Sequence, residues 1–391
     1  MKVLSCPELV RVDKIMMTPF ARYVVPDDVA RNIAIKLTES KIDFTCSSFN
    51  PYEKRYGGQE ARGKKLAFFR HSAWGDQLMA TATINCLQTL RPDLRVDVYC
   101  SPNVLTMWDG VTRAFPAPML FDAVKAYDYH VFYEGMLENN WEPDQNNAID
   151  DMIQFLGINP AEVPDDLKVP VVSVKEQDYA ELKNLRVDVT VPYVLIQLQA
   201  SNPNRTYPPK QTGELVRRIL DKWPDVHVIL VGLDADNKLQ DGINLLTGTR
   251  RKFVNLVSKL EDFRSVIPLV RHAKAVVCPD SSVGHLAAAF KDVPVVSLWG
   301  LFNPDDRVKY YKNHIPLFNK DICPHAPCHN HQFVLPQHLC KDAVNASEGT
   351  QKWCNALKAI TPEQIIEKLE EAFQDNLVTK GQGPVIKLCR P

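Results

Sequence analysis

KLAFFRHSAWGDQLMATATINCLQTLRPDLRVDVYC, residues 65–100, is the stretch from which the fold is read. Leu66 to Phe69 is a short uninterrupted apolar run, the pattern of a strand buried on both faces. Residues 77–90 are long enough for a helix and end at the Arg91-Pro92 break, and 95–100 is a second short run. A strand, a helix and a second strand in this order make a βαβ unit, because two parallel strands need a long crossover between them.

The alternation continues outward from this stretch. Tyr127–Glu134 reads as a strand and Ala148–Leu156 as a helix, while Asp144–Val174, with Pro160, Pro164 and Pro170, reads as a crossing between halves. A second series has strands at 193–199, 226–232, 253–257, 275–280 and 293–300. Its helices lie around Gly213–Trp223 and near Asp262–His272, and a last one opens at Thr361-Pro362-Glu363 with Pro in the first turn and runs to about Gln374. The expected architecture is α/β: two Rossmann-like domains facing a central cleft, where ligands sit in open parallel sheets, with a small N-terminal extension. The boundaries read from the sequence are 1–63 for the extension, 64–190 and 191–375 for the two domains, and 376–391 for a tail. The extension has extended pieces at Arg22–Val25 and Ile42–Cys46 around a helix over Asp27–Ser40 capped by Asp27 or Asp28. Its end, NPYEKRYGGQEARGKK (50–65), is polar and Gly-rich and reads as a linker.

Composition agrees with this and excludes several classes. The 391 residues suit about two domains, and 45% hydrophobic residues suffice for a core in each. Lys plus Arg (46) nearly cancels Asp plus Glu (47), so no large basic surface marks a polyanion partner. No apolar run approaches the ~20 residues of a membrane span. The opening MKVLSCPELVRVDK lacks the apolar core of a signal peptide, so the chain reads as cytoplasmic. Ten Cys in such a chain read as buried thiols or a local metal or redox cluster rather than a disulfide framework.

Three loops carry chemistry. Arg70-His71-Ser72-Ala73-Trp74-Gly75-Asp76 leaves the first strand and opens a helix; Gly75 admits a substrate close to the backbone, and Asp76 is a candidate general base. The plainer reading of Asp76 is a helix cap. Ala200 to Pro208 puts Ser201, Asn202 and Arg205 in one strand-end loop, which suits a diphosphate met by a charge-assisted fork, or else is a polar turn. Asp280-Ser281-Ser282-Val283-Gly284-His285 again follows a strand and opens an Ala-rich helix. Asp280 can bind sugar hydroxyls there, or the set can be a cap before a packed helix with His285 in the core.

Together these blocks resemble glycosyltransferase family 9, the heptosyltransferase-like enzymes of GT-B fold. The resemblance rests on Gly75-Asp76, on Ser201 and Arg205 before Tyr207-Pro208, on Asp280 to Ala288, and on VPVVSLWGLFNP at 293–304, and it covers roughly Lys64 to Phe373. Arg205 stands where the family often has Lys, and residues 281–284 are Ser-Ser-Val-Gly in place of the commoner Thr-Gly form. The resemblance implies an inverting, metal-independent transferase whose second half holds a nucleotide sugar and whose first half holds the acceptor. Asp76 would take the acceptor proton. Arg205 with Ser201 and helix-end amides would meet the leaving diphosphate, and Asp280 would orient sugar hydroxyls. Trp74, Gly75, Asn202, Ser281, Ser282 and Gly284 would line the substrates, and His285 would stand behind them or touch the donor. No cofactor is implied beyond the nucleotide sugar as co-substrate. The implied acceptor is lipopolysaccharide or another glycan, with peripheral contact at a membrane; the alternatives are hydroxymethylated bases of phage DNA, and a non-catalytic sugar-nucleotide binding module. Family members tend to carry a Cys-rich loop where Cys323, Cys328, Cys340 and Cys354 stand. Cys-x4-Cys is loose for structural zinc, so the default is packed thiols or a loop disulfide, with a metal held by these four as the alternative.

Overall fold

The computed structural model describes residues 1–12, 15–25, 27–71, 73–134, 136–137, 146–197, 199–201, 203–233, 243, 251–328 and 353–379. The chain divides into two units, Met1–Ser173 and Val174–Pro391. Both carry the parallel sheets the alternation predicts. The division falls at 173/174 instead of 190/191, and hydrogen bonds explain why. Val171 N–H still donates to Thr81 Oγ1 (3.0 Å) and Ser173 Oγ to Asp109 O (2.7 Å) in the first unit. A few residues on, Asp178 is locked into the second: its carboxylate takes Arg264 Nε at 2.6 Å and Nη2 at 2.7 Å, with both side chains almost fully buried.

In the first unit, β6 (Lys65–Phe69), β7 (Arg95–Cys100), β8 (Arg113–Pro116) and β10 (Tyr129–Phe132) form a parallel sheet in the order β10-β6-β7-β8. The helix α2 (Trp74–Leu90) connects β6 to β7. β6, the first strand of this sheet in chain order, thus lies inside it, with β7 and β8 to one side and β10 on the other. The extension is part of this unit. Strands β1 (Lys2–Ser5), β4 (Tyr23–Val25) and β5 (Thr45–Ser48) join β9 (Met119–Leu120) in an antiparallel sheet ordered β5-β1-β4-β9, and β2 (Val10–Val12) and β3 (Ile15–Met17) form a hairpin. Alternation along the strands divides the side chains between two cores. Leu4, Tyr23 and Val25 pack with Ala30, Ile33 and Leu37 of α1 (Asp27–Glu39), whereas Val3, Val24 and Met119 pack with Phe69, Tyr99 and Tyr127.

The stretch read as a linker is packed. His130 N–H donates to Lys54 O (3.0 Å) and Tyr56 N–H to His130 O (3.3 Å), so residues 54–56 cover the outer edge of β10, and Tyr56 is fully buried. Gly58 and Gly157 both have positive φ and their backbones cross; a Cβ on Gly58 would stand 2.2 Å from Gly157 O. The polar, Gly-rich composition therefore reflects a close backbone approach.

In the second unit, β11 (Tyr193–Gln197), β12 (His227–Val231), β13 (Phe253–Asn255), β14 (Ala275–Pro279), β15 (Val295–Trp299) and β16 (His314–Phe318) are all parallel, in the order β13-β12-β11-β14-β15-β16. The chain starts at β11, moves outward on one side, and returns to continue on the other. The helix Pro209–Lys222 buries Leu215, Val216 and Ile219 against Ile365, Ile366, Leu369 and Phe373 of the last helix, Pro362–Thr379. That last helix starts in a reciprocal capping box: Gln364 N–H donates to Thr361 Oγ1 (3.3 Å), and Thr361 N–H to Gln364 Oε1 (2.9 Å).

Two stability outcomes follow. Arg264→Met leaves Asp178 as an unpaired buried carboxylate and should cost about 3–5 kcal/mol, read as a melting-temperature drop of roughly 10 °C; adding Asp178→Leu should recover part of it. A drop of a degree or less would show that the pair does not hold the second unit's start. His130 is 3% exposed, and burial lowers its pKa, with Lys54 adding to the shift and Glu53 opposing it. The unfolded chain binds this proton near pH 6.5 and the folded one only lower, so the neutral ring's stability is complete above about 6.5 and is lost as pH falls toward the lowered value, by up to about 1.4 kcal/mol per unit. His130→Phe should flatten the decline in melting temperature between about pH 6.5 and 5.

Candidate functional site

In each unit the chain reverses its direction of travel across the sheet beside the sheet's first strand, the switch point at whose carboxyl ends open α/β sheets bind ligands. In the first unit this is the β6/β10 pair, and in the second the β11/β14 pair. All three sequence-selected loops leave these strands.

After β6 the chain turns through Ala73, at φ 67, directly into α2. Ala73 is the N-cap and no side chain caps the helix, so Asp76, in the first turn, is not the cap that one reading made it. Its Oδ2 instead accepts from Arg70 Nη2, whose side chain is 4% exposed while that of Asp76 is 22% exposed. Arg70 Nη1 donates to Tyr133 O at 2.9 Å, just past the end of β10. Behind them Gln77 Nε2 donates to Arg70 O (2.7 Å) and Trp108 Nε1 to Gln77 Oε1 (2.8 Å), all buried. Glu134 Oε2 accepts from His71 N–H (2.9 Å), adding a second carboxylate beside the loop. Trp74 and Gly75 are half-buried at the helix start.

After β11, Ser201 is exposed and Pro203–Arg205 forms a short 3-10 turn; Asn202 lies outside the described residues. Tyr207 anchors the turn through its buried hydroxyl, which donates to Ile360 O at 2.7 Å. The Arg205 guanidinium reaches across to β14's loop: Nε and Nη2 donate to Asp280 O at 3.1 and 2.6 Å, and Nη2 lies 3.2 Å from Asp280 Oδ2. Nη1 is 3.3 Å from Ser201 Oγ. The structure thus brings Ser201, Arg205 and Asp280 together.

Asp280 makes no cap either. Ser281 is the N-cap of the helix Ser282–Ala288, and its side chain makes no capping bond. Gly284 faces inward, where a Cβ would meet Cys278 Sγ at 3.3 Å and His314 Cε1 at 3.5 Å. His314, whose pKa burial pushes down to about 3, donates from Nε2 to Gly284 O at 3.1 Å. His285, 4% exposed, shares a 2.9 Å hydrogen bond between its Nδ1 and Tyr311 OH. Burial pushes the Tyr311 hydroxyl well up, with Arg307 opposing and Asp280 adding to the shift. Beneath Asp280 is a void of about 10 Å³, the size that one water fills, lined by Cys278, Ser281, Ser297, Trp299 and His314 among others.

Sequence reasoning gave no role to Arg70, which opens a quoted loop, or to Glu134, which closes a quoted strand, and it missed Tyr311, Arg307 and His314. Those three lie past β15, where no periodicity or motif distinguishes them from packing residues. Cys323 and Cys354 are buried in the same apolar cluster, Cys328 is half-buried, and Cys340 lies outside the described residues. Among the described residues no group of three or more His, Cys, Asp or Glu is placed to hold a metal ion.

A family model described as glycosyltransferase family 9 (heptosyltransferase) matches residues 130–337, more than half of the chain and inclusive of the Arg205 and Asp280 loops. Among solved structures, ADP-heptose lipopolysaccharide heptosyltransferase II of E. coli aligns with a TM-score of 0.60 at 17% identity, covering 80% of this chain and 99% of that one. A family 9 glycosyltransferase of Veillonella parvula gives 0.59 at 12% identity, covering 81% and 99%. TibC of enterotoxigenic E. coli, described as an iron-containing dodecameric glycosyltransferase, gives 0.54 at 16% identity over 96% and 91%, and 0.56 when solved with ADP-D-β-D-heptose. These likenesses show a shared GT-B fold. No curated protein matches the chain.

Proposed function

The chain belongs to glycosyltransferase family 9, and we propose that it moves heptose or a similar sugar from a nucleotide-sugar donor, with ADP-heptose the first candidate, to a hydroxyl of lipopolysaccharide or another glycan. ADP-heptose is named for two of the structural neighbours, and a lipopolysaccharide acceptor for one of them. Such an acceptor calls for peripheral contact with a membrane; among the described residues no helix is long and apolar enough to cross one. No observation favours DNA as acceptor.

The observation that carries the reading is the Arg205 guanidinium, 20% exposed, held at the switch point of the second sheet with a hydroxyl on one edge and Asp280 on the other. An anion there meets fixed charge and fixed donors without reorganisation. In the proposed reaction the acceptor oxygen gives its proton to Asp76 and bonds to the anomeric carbon from the face opposite the leaving group. The bond from that carbon to the diphosphate oxygen breaks, and the electron pair leaves with the nucleotide diphosphate. Arg205 and Ser201 take up the developing charge, the task a divalent ion performs in other glycosyltransferases, while Asp280 holds donor hydroxyls. His285 supports the Asp280 loop from Tyr311. The family match begins at residue 130, so the role of Asp76 rests on its place at the β6/β10 switch point and on its partly open carboxylate.

A thermal-shift panel of nucleotide sugars tests the donor, since a ligand of the native state raises its melting temperature. ADP-heptose should give the largest shift, Arg205→Ala should remove that shift, and transfer should fall by roughly 10²-fold or more. A full-size shift in Arg205→Ala would overturn the assignment. Asp76→Asn should keep the shift and lower kcat by about 10²-fold or more, and EDTA should leave the wild type active. Activity abolished by EDTA and restored by Mg²⁺ or Mn²⁺ would count against the metal-free mechanism.

A further inference from the structure

We infer that Arg70 is a positioning residue for Asp76, a deepening that rests on the functional reading above. Its guanidinium is almost wholly buried, and a buried cation is strongly disfavoured unless it meets an anion in good geometry. Tying β6 to β10 needs only the bond to Tyr133 O, which a neutral donor would supply. Among the described residues an anion it meets is Asp76, which lies in the first turn of α2 and stays 22% exposed.

The geometry is that of a fixed fork. Nη1 on Tyr133 O sets the plane of the guanidinium, and Nη2 then presents its N–H to Asp76 Oδ2 along one direction. The backbone of Arg70 is fixed in turn, because Gln77 holds its carbonyl and Trp108 holds Gln77. Asp76 thereby takes its orientation from β6, β10 and α2 together, although no side chain caps the helix on which it sits. A base misplaced by about 1 Å can lose roughly 10² in rate. Lys in place of Arg70 keeps the charge but has no planar fork, so it cannot serve Tyr133 O and orient the carboxylate in the same way.

The test is a double-mutant cycle of Arg70→Lys and Asp76→Asn, reading ADP released from ADP-heptose with heptose-deficient lipopolysaccharide as acceptor. Arg70→Lys alone should lower kcat by about 10-fold or more, with the KM for ADP-heptose changed less than about twofold. In the Asp76→Asn background the same substitution should change kcat less than about threefold, because the group through which it acts is gone. Arg70→Gln, which retains a donor for Tyr133 O, serves as the second variant if Arg70→Lys fails to fold. An equal loss from the Arg70 substitution in both backgrounds would overturn the inference and leave Arg70 a fold-supporting residue. Wild-type turnover in Asp76→Asn, or no ADP release by the wild type, would overturn the functional reading itself and this inference with it.

Discussion

Parallel pairing is the constraint from which the rest follows. A parallel strand cannot be reached by a tight turn, so each of β6, β11 and β14 is followed by a crossover that leaves from the same edge of its sheet. Where the chain starts inside a sheet and later strands add to both sides, two such crossovers depart in opposite directions and leave free space between them. Side chains in those loops face that space without opening the core. The order β13-β12-β11-β14-β15-β16 thus explains why Arg205 and Asp280, 75 positions apart, share hydrogen bonds.

Three Arg–Asp pairs show how exposure separates scaffold from site. Asp178 and Arg264 are almost fully buried and bidentate, which makes their separation costly and suits a tether between a connecting segment and a sheet unit. Arg70–Asp76 and Arg205–Asp280 each bury one member deeply and leave the other about one-fifth exposed. The more buried member is held by its surroundings, and the other has the greater access to solvent. In the first pair the carboxylate is the open member and in the second the guanidinium is, the exposure that the proposed base and the proposed anion contact would each need.

The N-terminal residues have a comparable economy. In their antiparallel sheet α1 packs against one face of β1 and β4 and the Phe69–Tyr99–Tyr127 cluster against the other, while β5 is exposed. Strand β9, which comes from the parallel-sheet part of the chain, completes that sheet, so the extension and the first Rossmann-like unit fold as one body.

The sequence by itself determined the strand and helix alternation, since continuous apolar runs such as Leu66–Phe69 and Val228–Val231 leave little choice but buried strands. It also singled out Arg205 and Asp280, because charged residues at strand ends within hydroxyl-bearing loops stand out from their neighbours. Tertiary structure decided what periodicity cannot encode. Gly58 needs Gly157, a contact across 99 positions that reads locally as a flexible linker. Whether Asp76 and Asp280 cap helices or meet arginines depends on where β6, β10, β11 and β14 end relative to one another. Sheet order sets those relations through non-local backbone hydrogen bonds, and these leave no mark on the residues within a short window.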